Sequence, residues 1–140
     1  MTEIRFTIPI QPPAKTFQDK GIGISKSGKR YLYDRADLAE EKEKLKAWFS
    51  HFRPEQPLKA PVGMSLGFLY KETDRHHAMT WKTTKPDCDN LAKTITDILQ
   101  ELGFFKDDKD IAELYVAKGF DEVPSIEVKL VELEEVMAAI

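Results

Sequence analysis

A single cysteine, Cys88, in a chain of 140 residues leaves no intrachain disulfide to be formed and no cysteine-based zinc site. Nor is that thiol placed for nucleophilic work. Asp87 and Asp89 flank it, and a thiolate is stabilised by positive neighbours, so Cys88 is expected to point into the core. The longest apolar runs, such as VGMSLGFLY at 62–70, are strand-sized and far short of the roughly 20 residues that cross a bilayer. The opening MTEIRFTIPIQPP has none of the basic region, apolar core and small-residue site of a secretory signal, so a cytoplasmic location is expected. Internal repeats, low-complexity tracts and linkers are absent too. The length suits one domain, expected to span 1–140.

What the chain does have is charge, and it is segregated. Residues 1–93 carry 17 Lys or Arg against 12 Asp or Glu, a balance of +5, whereas residues 94–140 carry 4 against 12, a balance of -8. A basic part able to hold a polyanion is thus joined to an acidic part able to hold cations, and the net charge of -3 conceals both. An acidic tail at VELEEV with ordinary solvated lysines accounts for the same numbers.

Hydrophobic periodicity orders the elements. IRFTIPI is a strand closed by prolines, and GIGISKSGKRYLYD has the form of a hairpin turning at Ser27 and Gly28. Leu38, Leu45, Trp48, Phe49 and Phe52 recur at helical spacing between Arg35 and Phe52, with Asp34 as the expected cap and Pro54 as the stop. APVGMSLGFLYKE is the next strand. TDRHHAMTWKTTKP lacks any periodicity and is expected to be a connection, of a length that is commonly functional. Leu91, Ile95, Ile98 and Leu102 then form one narrow helical stripe, and Gly103 follows as a C-cap. IAELYVAKGF and SIEVKLVELE are two strands around a turn at 121–125. The resulting order predicts an α+β domain of two layers, with two helices on one face of a mixed, mostly antiparallel sheet.

The stretch KPDCDNLAKTITDILQELGFFKDD, residues 85–108, crowds acids around both ends of the second helix. Pro86 disfavours the helical region for Lys85, so 85–88 is expected to be extended, with the Asp87 and Asp89 carboxylates side by side. Two carboxylates so placed repel unless a cation lies between them or one is protonated. Lys93 follows Asp89 by four residues, and on a helix both lie opposite the apolar stripe; an N-cap aspartate with a routine ion pair is the simpler account of the two. The acids at 107 and 108 add a third member. The helix is roughly 19 Å long and residues 103–108 stretch at most roughly 20 Å, so Asp107 or Asp108 returns to its start only along an almost extended path; a partner chain is the other source. Three acids converging with a lysine form a set that holds one or two Mg2+ ions for phosphodiester chemistry.

The same residues, as KPDCDNLAKTITDILQELGFFKDDKDI, resemble the signature of the RusA family of Holliday junction resolvases: an Asp-x-Asp-Asn segment, a Lys four residues after its second Asp, and a pair of Asp after a Gly-aromatic turn. Weaker similarities in the first strand, in GKRYLYD and in the last two strands extend the likeness over the whole chain. The resemblance implies a RusA-like fold, a homodimer, and an endonuclease that divides four-way DNA junctions by paired nicks in recombination and repair, using Mg2+ or Mn2+. It further implies that Asp87, Asp89 and Asp108 are metal ligands and that Lys93 is the catalytic lysine, either stabilising charge on the phosphate or orienting the attacking water. Asn90 and Asp107 match without a role. The chain departs from the family at QPPAKTFQDK, which is not arginine-rich, and this bears on DNA affinity and junction preference. Candidate DNA contacts are Lys15, Lys26, Lys29, Arg30, Lys82 and Lys85, with Lys20 further back and Trp81 and Tyr31 available to unpaired bases.

Other assignments compete. A calcium-loop pattern fails because Leu91 and Ala92 stand where an oxygen ligand and glycine are needed. A PD-(D/E)xK-like nuclease would use Asp87 with Glu127 and Lys129, and would leave Asp89 and Asp108 expendable. Flap or fork cleavage is a third possibility. A non-catalytic DNA-binding protein is a fourth, for which clustered like charges are an unfavourable choice. His76 and His77, adjacent in a loop, lack a third partner for a metal, and His51 at a helix end is expected to be a surface or capping residue.

Overall fold

A computed structural model describes residues 2–14, 21–33 and 36–137. The central sheet is built from β1 (Glu3–Ile8), β4 (Val62–Lys71), β5 (Ile111–Asp121) and β6 (Ser125–Glu132), in the order β1-β6-β4-β5. β6 runs antiparallel to both β1 and β4, while β5 is parallel to β4, so the sheet is mixed and mostly antiparallel as its residues suggest. Two helices, α1 (Ala36–Phe49) and α2 (Cys88–Glu101), complete the α+β fold.

Alternation along the strands decides which face is covered. Met64, Leu66, Phe68 and Tyr70 of β4, with Ile126, Val128 and Leu130 of β6, are buried in one cluster with Leu45 and Phe49 of α1 and Leu91, Ile95 and Ile98 of α2. Each such side chain withdrawn from water contributes about 1.5–3 kcal/mol. The odd-numbered residues of β4 and β6 look the other way, where Ser65, Gly67, Glu127 and Lys129 form an open face.

The last two strands are not a hairpin. A β-α-β path carries the chain from β4 through α2 to β5 beside it, and β6 then returns on the far side of β4, next to β1. A crossover containing a helix permits parallel pairing, whereas the short turn at 122–124 gives no information on what lies between its strands.

The predicted hairpin forms a separate two-stranded sheet, β2 (Gly21–Ile24) with β3 (Arg30–Tyr33). Its turn is closed by Ser25, whose N–H donates to the Lys29 carbonyl at 2.8 Å and whose Oγ accepts from the Lys29 N–H at 3.1 Å; Gly28 takes φ +84°, open to glycine at no steric cost. Asp34, the expected cap of α1, lies outside the described residues. The helix passes into a 3-10 turn at Ser50–Phe52 before Pro54. There Phe52 is partly exposed but stacks flat on Phe6, ring centroids 4.4 Å apart.

Candidate active site

α2 starts earlier than the proline suggests. Asp87 is the extended residue before it (φ -71°, ψ 150°), its carbonyl accepting from the Leu91 N–H at 3.0 Å, and Asp89 already belongs to the first helical turn. The two residues therefore do not share one extended stretch in which alternate side chains point the same way: Asp87 ends that stretch and Asp89 lies on the helix. Proline restricts only the residue before it, Lys85, and leaves Asp87 free to end the extended segment. Asp89 instead gains the favourable field of the helix N-terminus.

The helix is buried far more widely than one narrow stripe. Asn90, Leu91, Ala92, Thr94, Ile95, Thr96, Ile98 and Leu99 are all buried, because α1 and the sheet both pack against it. The narrow stripe is the polar one: Asp89, Lys93 and Asp97, spaced four apart, lie away from the core. Lys93 does not pair with Asp89. Its Nζ lies 2.9 Å from Asp97 Oδ1 and 3.6 Å from Asp108 Oδ2. The hydrogen bond to Asp97, the largest influence, raises the Lys93 pKa above its ordinary value, and burial opposes it. The ammonium is thus held charged at neutral pH.

Asp108 arrives from the same chain. Leu102 ends α2 and Gly103 follows with φ +82°. The Gly103 N–H donates to the Gln100 carbonyl and the Phe104 N–H to the Leu99 carbonyl, each at 3.0 Å, a Schellman reversal that sends the chain back along the helix. Phe104 and Phe105 are buried and anchor the turn. Gln100 Oε1 then accepts the Asp108 N–H at 3.0 Å. The return reaches the middle of α2 rather than its start, so no nearly extended path is required. Asp107 turns elsewhere: its Oδ1 accepts the Lys109 N–H at 3.1 Å, capping a 3-10 turn at Asp108–Asp110, and that bond lowers its pKa.

Asp89, Lys93 and Asp108 line one cleft of about 360 Å³ between α2 and the start of β5, together with Thr96, Ile111 and Leu114. Asp87 does not line it. The donors are carboxylate oxygens, a set suited to a hard cation such as Mg2+, which keeps several waters and is commonly bound through one or two protein carboxylates and a phosphate. Asp89 and Asp108 fit that description. Among the described residues no three Asp, Glu, His or Cys side chains already converge on one point.

The remaining candidates are dispersed. Lys26, Lys29 and Arg30 are exposed on the β2–β3 hairpin, Lys85 is exposed at the approach to α2, and Lys15, Lys20 and the side chain of Tyr31 lie outside the described residues. Lys82 is turned inward, its Nζ 2.7 Å from Thr84 Oγ1 and 4.6 Å from the centre of the Tyr70 ring, and burial lowers its pKa with Lys118 adding to the shift. Trp81 is 76% exposed although its backbone is fixed by a bridge to Gly119 on the outer edge of β5. Glu127 and Lys129 lie in a hollow of about 740 Å³ on the open face of the sheet, which does not include Asp87. Lys129 pairs there with Glu3 at 3.6 Å. Cys88 is half-buried, neither in the core nor free on the surface. Two participants escaped the sequence: Gln100, which holds the Asp108 backbone, and Asp97, whose spacing of four from Lys93 was the available signal.

The chain as a whole has relatives among known proteins. The family described as endodeoxyribonuclease RusA matches residues 9–131. The chain is 31% identical over 133 residues to the "Crossover junction endodeoxyribonuclease rusA" of Lactococcus phage r1t, covering 94% of this chain and 99% of the relative. It is 30% identical over 141 residues to the "Uncharacterized protein YqaN" of Bacillus subtilis strain 168, covering 93% and 96% respectively.

Proposed function

Since the chain belongs to the RusA family of endodeoxyribonucleases, we propose that it is a Mg2+-dependent, structure-specific enzyme that resolves four-way DNA junctions by paired, symmetric nicks. Mn2+ is able to substitute, and the activity serves recombination and repair. The observation that carries this is the opening of Asp89, Lys93 and Asp108 onto one cleft. A bound divalent cation supplies the charge that activates water and neutralises the departing oxygen. Asp89 and Asp108 would hold it, with Asp87 at the helix start as the third acid. Lys93, kept cationic by Asp97, would meet a non-bridging phosphate oxygen and stabilise its growing charge. Lys26, Lys29, Arg30 and Lys85 contact the DNA backbone, with Lys15 and Lys82 as further contacts.

Symmetric nicking of two strands requires two sites, so the active species is a homodimer. No helix among the described residues is long and apolar enough to cross a membrane, and the proposed place of action is the cytoplasm.

The test mixes wild type and Asp89→Asn with a labelled four-way junction, a flap, a fork and a linear duplex, with Mg2+ or with chelator. Paired, religatable nicks in the junction that need metal and vanish in the variant are expected. Preferential cutting of the flap or fork would reassign the substrate, and binding without cutting under any metal would overturn the enzymatic reading of this cleft.

A further inference from the structure

Asp97 does not line the cleft, yet it is the nearer of the two acids that hold Lys93, at 2.9 Å against 3.6 Å for Asp108. Helix stability alone accounts poorly for an aspartate here. The position is the interior of α2, where Asp is a weak helix former, and the order of charges, Lys before Asp, is the less favourable one for a pair four residues apart. The geometry gives it another task. Lysine is a flexible cation that settles on whichever carboxylate is near, and without Asp97 the near one is Asp108. An ammonium seated on Asp108 neutralises the carboxylate that a divalent cation must use.

Resting on the reading of this cleft as a cation-dependent nuclease site, we propose that Asp97 is a positioning residue: from the next turn of the same helix it anchors Lys93 and keeps the ammonium from closing fully onto Asp108, which stays available to the cation. Both partners stand on one rigid helix, one turn apart, so the anchor is independent of whether Asp108 is engaged. Lys93 thereby keeps its place beside the cation rather than competing with it.

The experiment compares wild type, Asp97→Asn, Lys93→Met and the double variant in DNA-free form, with Mn2+ affinity measured by water-proton relaxation. Asp97→Asn is expected to weaken Mn2+ binding about tenfold, the scale on which groups orienting a metal's ligands act. In the Lys93→Met background the same change is expected to have almost no effect, since no lysine is left to fall on Asp108. Asp97→Glu, which still reaches Lys93, retains most of the affinity. Junction binding in chelator should be unchanged by Asp97→Asn while nicking in Mg2+ falls about tenfold. Equal weakening in both backgrounds would reduce Asp97 to a distant negative charge, and no weakening in either would reduce it to a surface pair; each overturns the proposal and leaves the nuclease reading standing. Absence of Mn2+ binding by wild type would remove both.

Discussion

Asp107 and Asp108 are neighbours of identical chemistry with different surroundings, and the difference separates their roles. Asp107 accepts the Lys109 N–H and closes a turn, a task that asparagine performs as well at a cap. Asp108 presents its carboxylate to Lys93 and the cleft. Asp107→Asn should therefore leave junction nicking within about twofold of wild type, whereas Asp108→Asn should lower it on the order of 10²-fold or more, the scale of losing one charge-stabilising group. Single-turnover nicking rates at saturating Mg2+ check both, and equal losses would mean that the two side chains share the site. The sequence pattern joined Asp87, Asp89, Lys93 and Asp108, and of these Asp89, Lys93 and Asp108 line one cleft while Asp87 does not. Pairing was not. Whether Lys93 turns toward Asp89 four residues before it or Asp97 four residues after it depends on side-chain direction and on the arrival of Asp108, neither of which spacing encodes.

Between elements, the reversal at the end of α2 decides whether Asp108 reaches the cleft. Gly103 holds φ +82° in open surroundings, where an added Cβ would meet nothing within 4 Å, so the cost of a side chain there is backbone strain alone. Gly103→Ala should destabilise the fold by roughly 1–2 kcal/mol, read as a lower urea midpoint at unchanged slope. It should also slow nicking, because the strained turn carries Asp108. Lys46 of α1 meets Glu101 of α2 at 2.6 Å, and that bond, the largest influence, raises the lysine pKa. With side chains 30% and 59% exposed, the pair is worth at most about 1 kcal/mol at low salt. A raised folded-state pKa means that the contribution is complete below the unfolded lysine value of about 10.4 and is lost as pH climbs through the folded value. The stability gap between wild type and Lys46→Met should accordingly be flat from pH 7 to 9, close above about pH 10.5 and shrink in high salt; a gap that persists in strong alkali would point to packing of the lysine stem. The glycine cap of α2 was visible in the sequence. The width of its buried face was not, since Ala92, Thr94 and Thr96 are buried through the approach of α1 and the sheet rather than through their own hydrophobicity.

At the level of the molecule, fold class followed from the order of periodic segments, but strand order did not. Nothing in IAELYVAKGF or SIEVKLVELE announces that β4 lies between them, because neighbours in a sheet are chosen by crossover geometry as well as by sequence adjacency. The charge asymmetry leads to a further test. A protein of net charge -3 binds a polyanion only if its cations are locally concentrated, and Lys26, Lys29 and Arg30 crowd one exposed hairpin that stands apart from the acidic segment 94–140 in sequence. Each phosphate neutralised by such a cation adds about 0.9 to the slope of log affinity against log salt on duplex DNA. If the hairpin grips the arms of a junction, replacing all three by alanine should lower that slope by roughly 2 to 3. The comparison is best made in the Asp89→Asn background with chelator present, by fluorescence anisotropy between 50 and 200 mM salt, a range over which such contacts change affinity by about 10³ or more for a many-contact protein. An unchanged slope would remove the hairpin from the DNA interface and leave Lys85 and residues near the cleft to carry it. A slope reduced without loss of junction over duplex preference would identify the hairpin as a clamp on the backbone, with selection for the branch made elsewhere.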